Sequence, residues 1–175
     1  MEESVCKFQN YSRSLKVMPR SKDSNQPPFK LPMRNYKPEV KAEICEQIDQ
    51  LYDKGIITNS DSPYNNQIVM VPKKNTSVKR MCVHFRILNL KSHPVAYPLP
   101  KIDEILDHLK NSFVMSSLDL ESGFLQILLD ELSKPLTAFS VAGKGQYQYD
   151  RMPFGLQNGA ATFQLLMDKI FHDLV

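Results

Sequence analysis

Three absences bound what this chain can be. No apolar run approaches the ~20 residues that cross a bilayer, and the polar first residues lack the apolar stretch of a secretion signal, so an intracellular protein is expected. Cysteine is scarce: Cys6, Cys45 and Cys82 lie far apart, and neither they nor His84, His93, His108 and His172 show metal-ligand spacing. Reduced, structural thiols follow. The third absence is acid. Between Ser62 and Ile102 there is no Asp or Glu, while Lys73, Lys74, Lys79, Arg80, Arg86, Lys91 and Lys101 all fall there, so the net charge of +3 is unevenly spread. Such a stretch reads either as a solvated face or as a site for a polyanion, and the missing acids tilt it toward phosphate.

What is present suits one soluble core. A length of 175 residues is enough for one domain and short for two. Residues 1–38, polar and carrying Pro19, Pro27, Pro28, Pro32 and Pro38, read as an extended arm or linker. From Glu39 to Lys54, Val40, Ile44, Ile48 and Leu51 recur at helical spacing, and Gly55 stands where a helix would end. Residues 67–72 and 79–85 predict a β-hairpin whose tip, from Lys73 to Ser77, is basic. Pro98 and Pro100 introduce a helix with Ile102, Ile105, Leu106 and Leu109 on its apolar side. A strand is expected over 113–120, a second hairpin over 136–152 turning at Gly143-Lys144-Gly145, and a helix over 160–175 with Asn158 as N-cap. In that helix Phe163, Leu166, Met167, Ile170 and Leu174 form one stripe. The order of elements predicts an α+β arrangement.

Within the apolar run 113–120 stands one acidic residue, Asp119. On a half-exposed strand it could simply point to water between Leu118 and Leu120. In a buried strand its charge would cost several kcal/mol unless a cation, a metal or strong donors met it, which would make it functional.

The pieces that decide between these readings occur in one order. They are Gly55-Ile56-Ile57, Ser62-Pro63-Tyr64, Val71-Pro72-Lys73-Lys74, Phe85-Arg86-Ile87-Leu88-Asn89, Tyr97-Pro98-Leu99-Pro100, Leu118-Asp119-Leu120 with Ser122-Gly123-Phe124, Thr137-Ala138-Phe139, and Met152 to Gln164. Each alone is weak, but their order and spacing are specific. From about Lys37 onward the chain resembles the reverse transcriptases of gypsy-type long-terminal-repeat retrotransposons and, more distantly, of retroviruses.

That resemblance implies a right-hand polymerase fold, fingers plus an incomplete palm over 39–175, cut from a Pol polyprotein that also carries protease, RNase H and integrase. It implies RNA-directed DNA polymerase chemistry, in which two divalent ions, Mg²⁺ or Mn²⁺, stabilise the attacking and leaving oxygens. Asp119 would be the first metal-binding carboxylate, with the Leu120 carbonyl beside it. Lys73 and Arg80 would hold the triphosphate, and Ser122 and Gly123 would offer it backbone N–H groups. Phe124 would stack under the sugar and exclude a 2′-hydroxyl, while Phe154 and Gly155 would pack on the nascent base pair. Arg86, Asn89, Leu99 and Pro100 would lie near the template. Arg86 equally reads as a surface charge, Asn89 as a turn former, and the prolines as a plain helix start.

Partners implied are an RNA or DNA template–primer and deoxynucleoside triphosphates, in a cytoplasmic particle or the nucleus, with no membrane. The Asp-Asp pair of the family, usually Tyr-X-Asp-Asp, is absent from this sequence. An isolated chain inactive as a polymerase is therefore expected, with an open strand edge prone to self-association. Lys79 stands where Trp is usual, His84 where Asp is, Leu136 where Lys is, and Gly159-Ala160 where Ala-Pro is. Losing proline at a helix start costs about 1 kcal/mol. A non-catalytic nucleic-acid-binding remnant of a retrotransposon is the competing reading, motivated by the basic stretch.

Overall fold

The computed structural model describes residues 27–72, 79–99 and 101–172, apart from the side chain of His108. The first helix, α1 (Pro38–Asp53), starts with proline at its first position and Glu39 in its first turn, both suited to a helix N-terminus. It buries Ile44 and Ile48. Its end is a Schellman motif: Gly55, at φ +61°, donates to the Tyr52 carbonyl and Ile56 to that of Leu51, both at 2.9 Å. This reversal sends the chain straight into β1 (Ile57–Asn59), too short to show an alternating pattern in the sequence.

β1 pairs antiparallel with β5 (Gly145–Tyr149), which pairs on its other side with β4 (Phe139–Val141), giving the order β1-β5-β4. The predicted second hairpin is thus present but shorter than 136–152, because Lys134–Thr137 coils into a 3₁₀ turn behind Pro135. The first hairpin is β2 (Gln67–Pro72) with β3 (Lys79–His84), in the register Gln67↔His84 to Pro72↔Lys79. Its tip lies outside the described residues.

Two amides tie these pieces together. Asn66 is buried, and its Nδ2 donates to the Leu136 and Ala138 carbonyls at 2.8 and 3.0 Å, joining β2 to the root of β4. From α1, the Gln47 side chain donates to the Lys79 carbonyl at 2.9 Å and accepts from the Met81 N–H at 2.7 Å. Gln47 thereby occupies the outer edge of β3, where another strand would otherwise pair. The described part of the arm runs beside β2: the Leu31 N–H donates to the Asn65 carbonyl, the Asn65 N–H to the Phe29 carbonyl, and Tyr36 donates to the Ile68 carbonyl at 2.5 Å.

A short helix unforeseen in the sequence, α2 (Arg86–Lys91), follows β3 directly. After an extended strap over 93–99 comes α3 (Ile102–Leu109), whose first turn is held by Glu104 accepting from the Lys101 N–H. The last helix, α4 (Gly159–Phe171), begins one residue before the predicted 160, with Leu174 outside the described residues. Asn158 holds the N-cap position, but its side chain does not cap the helix. It reaches sideways instead, donating to the His93 carbonyl and accepting from the Val95 N–H.

The strand expected over 113–120 is not formed. The segment forms no ladder, and Phe113, Val114 and Leu118 stand 103%, 87% and 78% exposed. β-propensity alone does not make a strand, and among the described residues this one has no neighbour to pair with. The apolar side of α3 is likewise uncovered, with Ile102 75% exposed. The core lies elsewhere, around Ile48, Ile57, Phe85, Ile127, Phe139, Met152 and Leu166.

Candidate nucleotide and template clefts

Asp119 is exposed, so the expectation that burial makes its charge costly is not met. Its placement is what singles it out. An open cleft of about 410 Å³ is lined by Leu118, Asp119, Leu120, Ser122, Gly123, Phe124, Phe154, Phe163, Met167 and Phe171. Six residues singled out in the sequence thus share one wall system, and Asp119 is its single carboxylate.

The floor is aromatic because three elements converge. Phe124, from the 3₁₀ turn Gly123–Gln126, sits between Phe154 and Phe163, with ring centroids 5.1 and 5.3 Å away. Gly123 allows this approach: a Cβ there would stand 2.8 Å from the Phe163 ring. Ahead of it, Ser122 adopts a left-handed conformation at φ +50°, the single non-glycine residue with positive φ among those described. Such a residue costs about 1 kcal/mol or more and persists only where its surroundings enforce it. A left-handed residue followed by a helical one turns successive N–H groups to one side, the form of an anion-binding nest. Within the turn, Leu125 donates back to the Ser122 carbonyl at 2.8 Å.

A second, larger groove of about 570 Å³ opens between β3, α2, the strap and the bend after Met152. Val83, His84, Phe85, Arg86, Asn89, Leu90, Ser92, Pro94, Gly155 and Gln157 line it. Asn89 holds its two sides together through hydrogen bonds to Gly155 and Gln157. Gly155 has φ +91°, open to glycine and strained for other residues, and a Cβ added there would lie 3.8 Å from the Phe85 ring. The groove therefore joins Arg86 and Asn89, which the sequence groups near the template, with Gly155, which it groups with Phe154 on the nascent base pair. Arg80, exposed on β3, and Leu99, exposed on the strap, line neither space. Lys73 and Pro100 lie outside the described residues.

Sequence reasoning missed several contributors. Phe163 and Met167 read only as part of an apolar stripe; they pack partly against the core and also line the first cleft, since an apolar period does not say which part of a helix is covered. The strap has a second anchor, Tyr97, whose hydroxyl donates to Asp168 at 2.5 Å while Gln164 donates to the other carboxylate oxygen. The hydrogen bond to Asp168 raises the Tyr97 pKa. No spacing in the sequence announces a bond across 71 residues.

Among the described residues no three His, Cys, Asp or Glu side chains gather where they could hold a metal ion, so the donors present fall short of a metal seat. No described helix is long and apolar enough to cross a membrane.

Residues 71–175 match the family model described as reverse transcriptase (RNA-dependent DNA polymerase). The retrovirus-related Pol polyprotein from transposon opus of Drosophila melanogaster is 42% identical over 142 residues, which cover 79% of this chain and 14% of that protein. The corresponding polyprotein from transposon gypsy of the same organism is 40% identical, over 75% of this chain and 13% of its own length. The enzymatic polyprotein of Cauliflower mosaic virus (strain Strasbourg) is 36% identical over 161 residues, 90% of this chain and 23% of the polyprotein. The chain thus spans less than a quarter of the length of these relatives.

Proposed function

This chain belongs to the reverse transcriptase family, and from that premise we propose that it is the nucleotide- and template-gripping part of an RNA-directed DNA polymerase of gypsy type. Its fold would be the fingers and first part of the palm of a right hand, preceded by an arm over 1–38. The observation that carries the reading is the shared cleft: Asp119, Leu120, Ser122, Gly123, Phe124 and Phe154 line one space.

In that space each residue has a task its chemistry suits. The Phe124 ring, held edge-on by Phe163, would serve as a floor for a deoxyribose and exclude a 2′-hydroxyl. The N–H groups at Ser122 and Gly123 bind phosphate oxygens, with Arg80 and Lys73 supplying charge from the hairpin. Phe154, 57% exposed, is free to pack on the nascent base pair. Asp119 contributes one hard ligand and the Leu120 carbonyl a second to a divalent ion, Mg²⁺ or Mn²⁺, that would polarise the reacting phosphate. One carboxylate does not hold two ions, so this chain alone binds substrates without extending a primer.

The template would lie in the second groove against Arg86, Asn89 and Gly155, and the family resemblance adds Leu99 and Pro100 to its contacts. Self-association through the bare 113–120 segment and residence in a cytoplasmic particle or the nucleus complete the proposal. Titrating a labelled template–primer with the chain over a salt series tests it. Binding that weakens linearly in log salt is expected, and no binding at low salt would refute the reading.

A further inference from the structure

Asn158 stands where a helix is usually capped, yet its side chain leaves α4 uncapped and spends both ends of its amide on the strap. Nδ2 donates to the His93 carbonyl at 2.9 Å, and Oδ1 accepts from the Val95 N–H at 3.0 Å. Those two groups bracket Pro94, which lines the template groove. The bend, on another side of the groove, is held in the same way, since the bonds of Asn89 to Gly155 and Gln157 bracket Leu156. Burial separates the holder from the held. Asn158 is 8% exposed, and its carbonyl accepts from the Thr162 N–H and hydroxyl at 2.9 and 2.8 Å, whereas residues 93–96 are exposed. Side-chain packing therefore contributes little to the place of Pro94, and the directed bonds of a buried amide fix it. On either side the strap is tied at Ser92, whose hydroxyl donates to the Leu88 carbonyl at 2.7 Å, and at Tyr97, bonded to Asp168.

We infer that Asn158 is a positioning residue for nucleic acid in this groove, holding the strap as a wall already built before a strand arrives. The inference rests on the groove being the template site. An exposed strap without such a holder samples many backbone conformations, and a strand that needs one of them must restore that order on binding, which lowers affinity. A wall in place about a tenth of the time weakens binding about tenfold. Asn158 itself does not line the groove, so removing its amide takes away no contact with phosphate and leaves the number of released counterions unchanged. A residue that touched a phosphate of a single strand would instead flatten the fall of log affinity with log salt by about 0.7 when removed. The salt slope thus separates holding the wall from touching the strand.

The test is fluorescence anisotropy of a rhodamine-labelled oligothymidylate titrated with the chain over a salt series, with hydrogen exchange at the Val95 amide followed by NMR in the same proteins. In the parent chain the oligonucleotide should bind and the Val95 amide should be protected. Asn158→Ala should free that amide to exchange and weaken binding about tenfold at every salt concentration, with the parent's slope. Because the side chain caps nothing, alanine there removes the strap's bonds and none of the helix's. Tyr97→Phe, which loosens the strap at Asp168 and leaves the helix start untouched, should weaken binding about two- to threefold, again with the parent's slope. Undiminished affinity in Asn158→Ala, or in Tyr97→Phe where the helix start does not tolerate alanine, overturns the inference alone. So does a slope flattened by about 0.7 in Asn158→Ala, or a parent chain whose Val95 amide exchanges freely. Absence of binding by the parent chain at low salt overturns the template reading and this inference together.

Discussion

Asn89 grips the bend around Gly155 from two directions, its Nδ2 donating to the Gly155 carbonyl at 2.8 Å and its Oδ1 accepting from the Gln157 N–H at 2.9 Å. One side chain on α2 thus fixes the loop that carries Phe154 into the first cleft, and the two clefts share this loop. Asn89→Ala should cost about 1–2 kcal/mol, because two hydrogen bonds go and their backbone partners remain only partly hydrated. Urea unfolding measures it. Asn89→Asp should recover only the half that accepts from Gln157.

Gly123 and Phe163 are in contact that leaves no room for a methyl group, the added Cβ falling 2.8 Å from the ring. Gly123→Ala should destabilise the chain by about 1–3 kcal/mol, the usual cost of overpacking. Pairing it with Phe163→Leu should give a double mutant more stable than the two single effects add to, since the clash has then lost its partner. Strict additivity would mean that the close approach is not the reason for glycine.

Lys134 bridges Glu131 at 2.7 Å and Asp150 at 3.0 Å, with its side chain 17% exposed and that of Asp150 18%. Burial works against the ammonium charge, but the hydrogen bonds to Glu131 and Asp150 outweigh it and raise the Lys134 pKa. A raised cation pKa stabilises fully below the ordinary lysine value and is lost as pH climbs through the folded one. Lys134→Met should therefore cost about 1–3 kcal/mol at neutral pH, chiefly by leaving Asp150 unpaired. That difference should hold flat until about pH 10 and narrow only above it, as pH-dependent denaturant melts can follow.

The bare segment around Phe113 and Leu118 predicts association at micromolar concentration and binding of apolar dyes. Phe113→Ser with Leu118→Ser should reduce both, read by sedimentation velocity and dye fluorescence. Stability should change by less than about 0.5 kcal/mol, because neither side chain is packed. A parent chain that sediments as a monomer without dye binding would contradict this.

Much of the fold was legible because local signals and packing agree. Gly55 ends α1 through the Schellman pair, and the alternation in 67–72 and 79–84 becomes the β2–β3 ladder. Agreement fails where a partner decides the outcome. Residues 113–120 have strand composition but no neighbouring strand among the described residues, so they stay unladdered; β1 has too few residues to show a pattern and exists because β5 lies beside it. Asn158 reads as an N-cap from the sequence, and stands at that position, yet its amide is drawn to the strap by groups 63 and 65 residues away. Of the candidate site, the motifs contain Asp119, Leu120, Ser122, Gly123, Phe124 and Phe154 of the first cleft and Arg86, Asn89 and Gly155 of the second, while Arg80 and Leu99 line neither. The motifs did not show that Phe163 and Met167 join the first or that His84 joins the second, since these face outward only once α4 and β3 are set.

The most direct test of the account is Mg²⁺-dependent primer extension by this chain continued into the Asp-Asp hairpin of a gypsy-type relative, compared with the same protein carrying Asp119→Asn. The account predicts extension by the first and none above background by the second, with template–primer affinity equal in both. Equal extension by the two proteins would contradict it, because Asp119 would then have no part in the chemistry.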